Sequence, residues 1–540
     1  MCQLVPQSAV AFCAPVDGSA EHGRGVGRAH VAERERPAGS RPGGMRYHST
    51  AMPLLISLRR RLTASVLSLV LGAGGAISPA VAHELPELGD VAGEELPLML
   101  EKKIGQQIMQ EIRQREISYL DDYDVEAYLN QLGGRLAGFS KDPGFGFEFF
   151  ALNDPSINAF AMPGGYIGVH TGLLLAAQSE SELAGVLAHE ISHVTQRHIA
   201  RQLYQSKRVS IASMVGMALG LLAASSNPQA GAAAVAASQA GAISAQLAYS
   251  RDFERESDRL GFEMLGRAGF DQHGMALFFE RLRQASRLYE NNATAYLRTH
   301  PLTSERIADM QNRETGLGYR QVPDSLEFHL VRAKLRALQG RPDDAVKLFS
   351  SQLAERKFTN EIAARYGLAY AQFRARNWAA AQEAIDAARA LSKGAASLER
   401  LAAEVRLAQG KADEGVRIYR SAMERYPLNR ALVYGYADAL LQSRQFDTAL
   451  RFSEEQLRVQ PFDIRLHRQR AGAYAGLGKN AMQHRALAEV FALQGQTAGA
   501  IGQLELAIKA GDANFYEMSA IDARLRELKI RRLEELKDKN

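Results

Sequence analysis

The sequence predicts a mainly α-helical chain in two parts: an α+β domain with a small β-sheet, then an α-solenoid of paired helices. Three observations carry this. Apolar residues recur at helical spacing from Leu98 onward. An aromatic strand and a strand–turn–strand interrupt them between residues 147 and 169. After Asp324, small-residue-rich helical segments return with steps of 34 to 36 residues. At 540 residues the chain is too long for one core. The expected divisions are a leader at 1–82, a first domain at 83–322, repeats at 323–514 and a terminal capping helix at 515–540.

The leader has two parts. Residues 1–44 are rich in Gly, Arg and Pro and have no periodicity, which reads as an over-extended gene start, with Met45 or Met52 as the true beginning. A signal peptide at about 52–82 follows: Arg59-Arg60-Arg61, an apolar run from Leu62 to Ile77, then Ala80-Val81-Ala82, with cleavage expected before His83. No Cys follows the run, which excludes a lipoprotein. The alternative is an uncleaved anchor, weakened by Gly72, Gly74 and Gly75. In a Gram-negative cell the exported chain belongs in the periplasm. The leader also holds both cysteines, Cys2 and Cys13, so the remainder forms no disulfide and offers no thiolate to a metal. Outside it, basic and acidic side chains number 56 each, and nothing calls for a nucleic-acid partner.

The elements follow in order. Leu98, Ile104, Ile108 and Ile112 mark one helix, and Val125 to Leu136 an amphipathic second. Lys141-Asp142-Pro143-Gly144 is a turn, Phe147 to Leu152 a strand, and Asn153 to Ser156 a second turn. Ala159–Met162 and Tyr166–Val169 read as short strands joined through Pro163-Gly164-Gly165. Ser179 is a natural N-cap, and Glu182 completes a capping box for the next helix. Val209 to Ala224, continued by Gln229 to Ala248, is apolar but shorter than a membrane span. It reads as a buried or hairpin-forming insert, or else as a mobile flap or a surface touching membrane or apolar substrate. Asp252 is expected to cap a helix that Gly269 ends. Segments beginning at 345, 381, 415 and 449, with Pro427 and Pro461 spaced alike, give the tetratricopeptide period. The register fades after Lys479, and Glu517 to Lys537 is a charged terminal helix. A stacked solenoid offers a concave face to a protein or peptide.

The chemistry sits at Leu187-Ala188-His189-Glu190-Ile191-Ser192-His193-Val194. On a helix, His189 and His193 share a face and can hold one zinc ion, with Glu190 placed to act as general base. Gly185 and Ser192, near the histidines, are expected to leave room above the metal. A zinc enzyme needs a third protein ligand and an open position. The local extension HExxHxxGxxH fails, because Gln196 and Ile199 stand where it needs Gly and His. His198, five residues past His193, lies off the ligand face of a continuous helix and is expected at the surface. The better donor is in Phe253-Glu254-Arg255-Glu256-Ser257-Asp258. Glu254 and Asp258 share a face with Ser257 and Gly261, which lets that helix approach another closely. Glu254 is therefore the expected third ligand, and Asp258 the group that orients a histidine. Glu256, Arg255 and Arg259 read as a solvated side.

The HExxH string followed by Glu254-x-x-x-Asp258, with Asn158-Ala159-Phe160-Ala161-Met162-Pro163-Gly164-Gly165-Tyr166 upstream, resembles the gluzincin peptidases of the HtpX and CAAX-prenyl-protease type. The resemblance implies His189, His193 and Glu254 as ligands to one zinc per chain, Glu190 as catalytic base, and Asn158–Met162 as an edge strand beside the zinc helix. His300-Pro301, followed by Arg306-Ile307, looks like an element this family carries after its third ligand. Pro301 fixes the loop, so His300 can fill the fourth metal position and hold the enzyme latent, or donate to the oxyanion. Arg306 can pair with a nearby carboxylate. The fold expected on this basis is a zincin-like α+β metallopeptidase followed by tetratricopeptide repeats. The function it implies is a periplasmic endopeptidase for misfolded or stalled envelope proteins, with an outer-membrane assembly machine as partner through the repeats. The alternative is a chaperone or adaptor with a mostly latent zinc site. A membrane-integral protease would need apolar spans that the sequence lacks.

Overall fold

The computed structural model describes residues 96–142, 145–206, 251–287, 294–318 and 320–537. The expected leader and signal peptide, both cysteines, Pro143-Gly144 of the expected turn and the apolar stretch 209–248 lie outside these residues.

Helix α1 (Leu98–Arg115) is followed by α2 (Tyr123–Ala137), whose N-cap Asp122 accepts from the N–H groups of Asp124 and Val125. Three strands follow: β1 (Glu148–Leu152), β2 (Ala159–Met162) and β3 (Tyr166–His170). Their order is β1-β3-β2, with β3 parallel to β1 and antiparallel to β2. Between β2 and β3, Gly164 and Gly165 take φ of 80° and 90° in a single 3-10 turn.

Alternation sorts the sheet's side chains onto two faces. Phe149, Ala151, Ala159, Ala161, Ile167 and Val169 join the main core. Phe150, Leu152, Phe160 and Met162 pack on Ile104, Ile108 and Ile112 of α1. Both faces are thus covered, and β2 is left at an edge.

Beyond the short α3 (Thr171–Ala176) runs α4 (Glu180–Thr195), the helix of the HExxH string. Ser179 caps it, its Oγ accepting from Glu182 N–H at 3.2 Å, while Glu182 Oε2 accepts from Gln178 N–H at 2.8 Å. Then come α5 (His198–Ser206), α6 (Arg251–Arg267), α7 (His273–Arg287), α8 (Thr294–Thr299) and α9 (Ser304–Glu314). Asp252 lies inside the first turn of α6 rather than capping it, and its carboxylate meets Arg255 at 2.6 Å. Gly269, at φ 83°, closes that helix, and Phe270 N–H returns to Leu265 C=O.

The remainder is helix pairs: α10 (Leu326–Leu338) with α11 (Pro342–Ala354), α12 (Glu361–Arg374) with α13 (Trp378–Leu391), α14 (Ala396–Ala408) with α15 (Ala412–Arg425), and α16 (Arg430–Gln442) with α17 (Phe446–Val459). The same spacing continues through α18 (Ile464–Gly476) and α19 (Asn480–Leu493), although the sequence signature has faded by Lys479. Helices α20 (Thr497–Ala510) and α21 (Phe515–Lys537) end the chain, with Ile521, Leu525 and Leu528 buried in a shared core cluster. Among the described residues no helix is long and apolar enough to cross a membrane.

The first part and the solenoid meet along α2. Asp124 accepts from Arg400 Nε and Nη2 at 2.7 and 2.6 Å and from Lys334 Nζ at 2.7 Å, all in the interior.

Candidate metal centre

Helix α4 is buried nearly all round, so its polar residues must find partners inside the protein. It lies against β2 on one side and α6 on another. The contact with α6 is close because Gly261 carries no side chain: a Cβ there would stand 3.0 Å from His189 N and 3.1 Å from Ala188 C. Gly185 does not open space above a metal, contrary to the sequence expectation. A Cβ there would meet Met275 Cα of α7 at 3.2 Å, so this glycine serves helix packing. Ser192 is likewise turned back, its Oγ donating to Ala188 C=O at 2.8 Å.

Four side chains converge between these elements. His189, His193, Glu254 and His300 each turn one possible ligand atom inward, and the four atoms lie within 4.8 Å of one another. His189 Nε2 is 3.0 Å from His193 Nε2 and 3.4 Å from Glu254 Oε2. Glu254 Oε1 is 3.3 Å from His193 Nε2 and 3.1 Å from His300 Nδ1. The His300 ring stacks on Tyr296, with centroids 4.6 Å apart. Glu190 is buried beside them. His300 Nε2 stands 3.4 Å from its Oε1, yet neither carboxylate oxygen completes a hydrogen bond among the described residues.

Behind the cluster, Asp258 Oδ1 lies 2.9 Å from His189 Nδ1. Arg306 grips Asp258 with Nε and Nη2 at 2.6 and 2.7 Å and reaches Glu254 Oε2 with Nη1 at 2.8 Å. Its Nη1 also donates to Pro301 C=O at 2.8 Å, which ties the His300-Pro301 loop to α6. Asn158–Met162 lies along the edge of the sheet, buried, with α4 against β2.

Charge and burial compete throughout. Burial lifts the Glu190 carboxyl above its ordinary value, with the His300 and His189 imidazoles pulling the other way. Burial also works against ionised Glu254, but His300, His189 and His193 outweigh it and hold that carboxyl well below the usual range. Burial resists ionisation of Asp258 too, and Arg306 overrides it. Burial pushes His193 down to about 3. His189 is also buried, but Asp258 and Glu254 hold it up at about 9.

The donor set fits a metal ion. Imidazole nitrogens and one carboxylate converge in the interior, and Glu190 keeps two unsatisfied oxygens beside them. Glu190, Glu254 and Asp258 are three buried carboxylates, and the buried guanidinium of Arg306 pairs with Glu254 and Asp258. A divalent cation would balance them.

Two further sequence expectations are overturned here. His198 is not at the surface: it is 0% exposed, and its Nδ1 lies 2.9 Å from His193 Nδ1. The helical-wheel argument assumed an unbroken helix. Instead α4 ends at Thr195, Arg197 takes a left-handed φ of 52°, and His198 begins α5. Glu256 is not simply a solvated charge: it meets His198 Nε2 at 3.2 Å and Arg201 Nη1 at 3.0 Å. Arg255, by contrast, is half-exposed as expected. Tyr296, stacked under His300, was not anticipated, and no spacing rule marks it.

Comparison with known proteins gives two family matches and a set of relatives. Residues 121–314 match the family described as Peptidase family M48, and residues 406–472 match the tetratricopeptide repeat. The chain is 31% identical over 477 residues to the beta-barrel assembly-enhancing protease of Escherichia coli K12, covering 87% of this chain and 97% of that protein. It is 42% identical over 263 residues to the putative beta-barrel assembly-enhancing protease of Vibrio cholerae, covering 48% of this chain and only 54% of that protein. It is also 29% identical over 222 residues to the mitochondrial metalloendopeptidase OMA1 of Schizosaccharomyces pombe, covering 40% of this chain and 62% of that protein.

Proposed function

The chain belongs to peptidase family M48, among metalloendopeptidases related to the beta-barrel assembly-enhancing proteases, and from that premise we propose that it is a periplasmic zinc endopeptidase that degrades misfolded or stalled outer-membrane and envelope proteins. One observation carries this reading: four buried ligand atoms within 4.8 Å, with the unsatisfied Glu190 carboxylate beside them. The residues from 83 to 322 would form the peptidase, and those from 323 to 514 the recruiting solenoid, capped by 515–540.

In this reading His189, His193 and Glu254 hold the ion. Zinc bound there would supply Lewis acidity to the scissile carbonyl and to the attacking water. Glu190 takes a proton from that water and returns it to the leaving amine. Its raised pKa and dry surroundings suit a group that must carry the proton between the two steps. Asp258 fixes the His189 ring through Nδ1, and Arg306 fixes Asp258 and Glu254 together. An extended substrate adds to the Asn158–Met162 edge through main-chain hydrogen bonds, which gives broad sequence tolerance. That tolerance suits unfolded chains. The solenoid recruits them or docks on an outer-membrane assembly machine.

The His300 position supports a latent resting form. Its Nδ1 stands 3.1 Å from Glu254 Oε1 and 3.4 Å from His189 Nε2, inside the ligand set. It would act there as a fourth ligand that must withdraw before substrate enters, rather than as an oxyanion donor. The same position supports the second reading, a chaperone or adaptor whose site is mostly latent.

The test is zinc content and cleavage of an unfolded protein by the purified chain, with and without chelator. Glu190→Gln should retain one zinc and lose about 10²–10⁴-fold in rate. His300→Ala should cleave faster than wild type. One zinc with no Glu190-dependent cleavage would favour the chaperone reading, and an unchanged or slower, well-folded His300→Ala would sink the latch.

A further inference from the structure

His189 and His193 turn Nε2 inward, so each needs its Nδ1–H held from behind. For His189 the holder is Asp258, at 2.9 Å. For His193 the atom in that place is another ring nitrogen, Nδ1 of His198, also at 2.9 Å. We propose that His198 is a positioning residue for the metal centre: a neutral imidazole that accepts the His193 Nδ1–H and relays the contact through its own Nε2–H to Glu256. This rests on the reading that His193 is a metal ligand.

The geometry allows one arrangement of protons. Two facing Nδ1 atoms at 2.9 Å share one hydrogen. If His193 gives its Nε2 lone pair to the ion, its Nδ1 carries that hydrogen. His198 Nδ1 must then accept, and a neutral His198 ring carries its own hydrogen on Nε2. That nitrogen lies 3.2 Å from Glu256 Oε2, an acceptor only. Arg201 Nη1, at 3.0 Å, anchors the same carboxylate oxygen.

The fold holds the ring in this pose by independent means. It lies flat on Phe253, centroids 4.3 Å apart and planes 9° apart, one residue before Glu254 in α6. Ser257 Oγ touches its Nδ1 side at 3.4 Å. The left-handed residue Arg197 makes the turn that brings His198 back, and its own side chain is tied to Glu101 and to Leu96 C=O. The break between α4 and α5 is thus the device that supplies the support.

The two histidines are therefore backed unequally. His189 leans directly on a carboxylate paired with buried Arg306. His193 leans on a neutral ring, with the carboxylate one step further out and 27% exposed.

The experiment is zinc affinity of the full chain, measured by competition with a fluorescent chelator, with metal-free melting recorded in parallel. Losing such a support typically weakens metal binding about 10–100-fold, and His198→Phe should lie in that range. His198→Asn places an amide oxygen near the Nδ1 position and should bind more tightly than His198→Gln, whose amide sits nearer Nε2. A merely structural role would move melting and affinity together and would not rank Asn above Gln. If His198→Phe binds zinc within about twofold of wild type, or Gln equals or exceeds Asn, the inference is wrong. Should His198→Phe fail to fold, the Asn–Gln ranking decides alone. Wild type that binds no zinc overturns this inference together with the proposed function; tight wild-type binding with unaffected His198 variants overturns this inference only.

Discussion

At the scale of the residue, Arg306 is the group on which the site's charge balance turns. It is 2% exposed and is the only arginine or lysine among the described residues that pairs with both Asp258 and Glu254. Its planar guanidinium also lies over Phe279, 5.1 Å from the centroid. Taking one member from a buried ion pair typically costs about 3–5 kcal/mol, because the remaining charge stays dry and unpaired. Arg306→Leu should therefore lower the metal-free unfolding free energy by about that amount in urea titration. Arg306→Lys should recover only part of it, since a point charge cannot make the fork to Asp258 and the Glu254 contact at once. A lysine variant as stable as wild type would show that charge alone suffices. Saturating zinc should narrow the deficit of Arg306→Leu, because a second cation then shares the same carboxylates.

At the scale of the element, catalytic geometry reduces to how closely α4 and α6 lie. Gly261 sets that distance. Gly261→Ala would place a methyl 3.0 Å from His189 N, against backbone that cannot swing aside. Helix separation is the only relief, and it would draw Glu254 away from both histidines. Overpacking of this kind costs about 1–3 kcal/mol. The expected signature is a zinc affinity that falls more than the melting temperature suggests; Gly261→Ala with wild-type affinity would refute the close-approach argument. This helix pair was largely legible in the sequence. Ser179 and Glu182 announced the start of α4, and Ser257 and Gly261 announced a face that could touch another helix. What stayed hidden was the place where the pattern broke. Nothing in Gln196-Arg197 marks a turn, since a positive φ normally falls to Gly or Asn. Reading on through that break put His198 on the wrong side. Gly185 misled for a related reason: a small residue beside a ligand can serve the ligand or a neighbouring helix, and only the position of Met275 distinguishes them.

At the scale of the whole molecule, the 34-residue period gave the repeats away, but not where they rest. The contacts that seat them join residues hundreds of positions apart, which no local pattern encodes: Arg400 and Lys334 with Asp124, Arg465 with Glu126 at 2.7 Å, and Gln110 Nε2 with Leu493 C=O at 3.2 Å. The repeat register past Lys479 was missed for a different reason. Asn480–Leu493 keeps the geometry with different residues at the signature positions. Among these seams, the one at Asp124 has all three charged partners buried. Burial resists its ionisation, and Arg400 and Lys334 overcome that and hold the carboxyl far below the usual value. A carboxylate with a depressed folded-state pKa stabilises the fold above its unfolded value of about 4, and the contribution fades as the pH falls through the folded-state value. The seam should therefore be indifferent to pH between about 5 and 7 and weaken progressively below about 4. Asp124→Asn keeps the shape but takes from Arg400 and Lys334 the carboxylate they share, leaving each with one other partner, Glu404 and Asp122, for an expected loss of up to about 3–5 kcal/mol at neutral pH. The difference between wild type and variant in urea should shrink on acidification, because protonated Asp124 resembles the amide. A difference that holds constant down to pH about 3 would mean that packing, rather than this ion cluster, seats the solenoid.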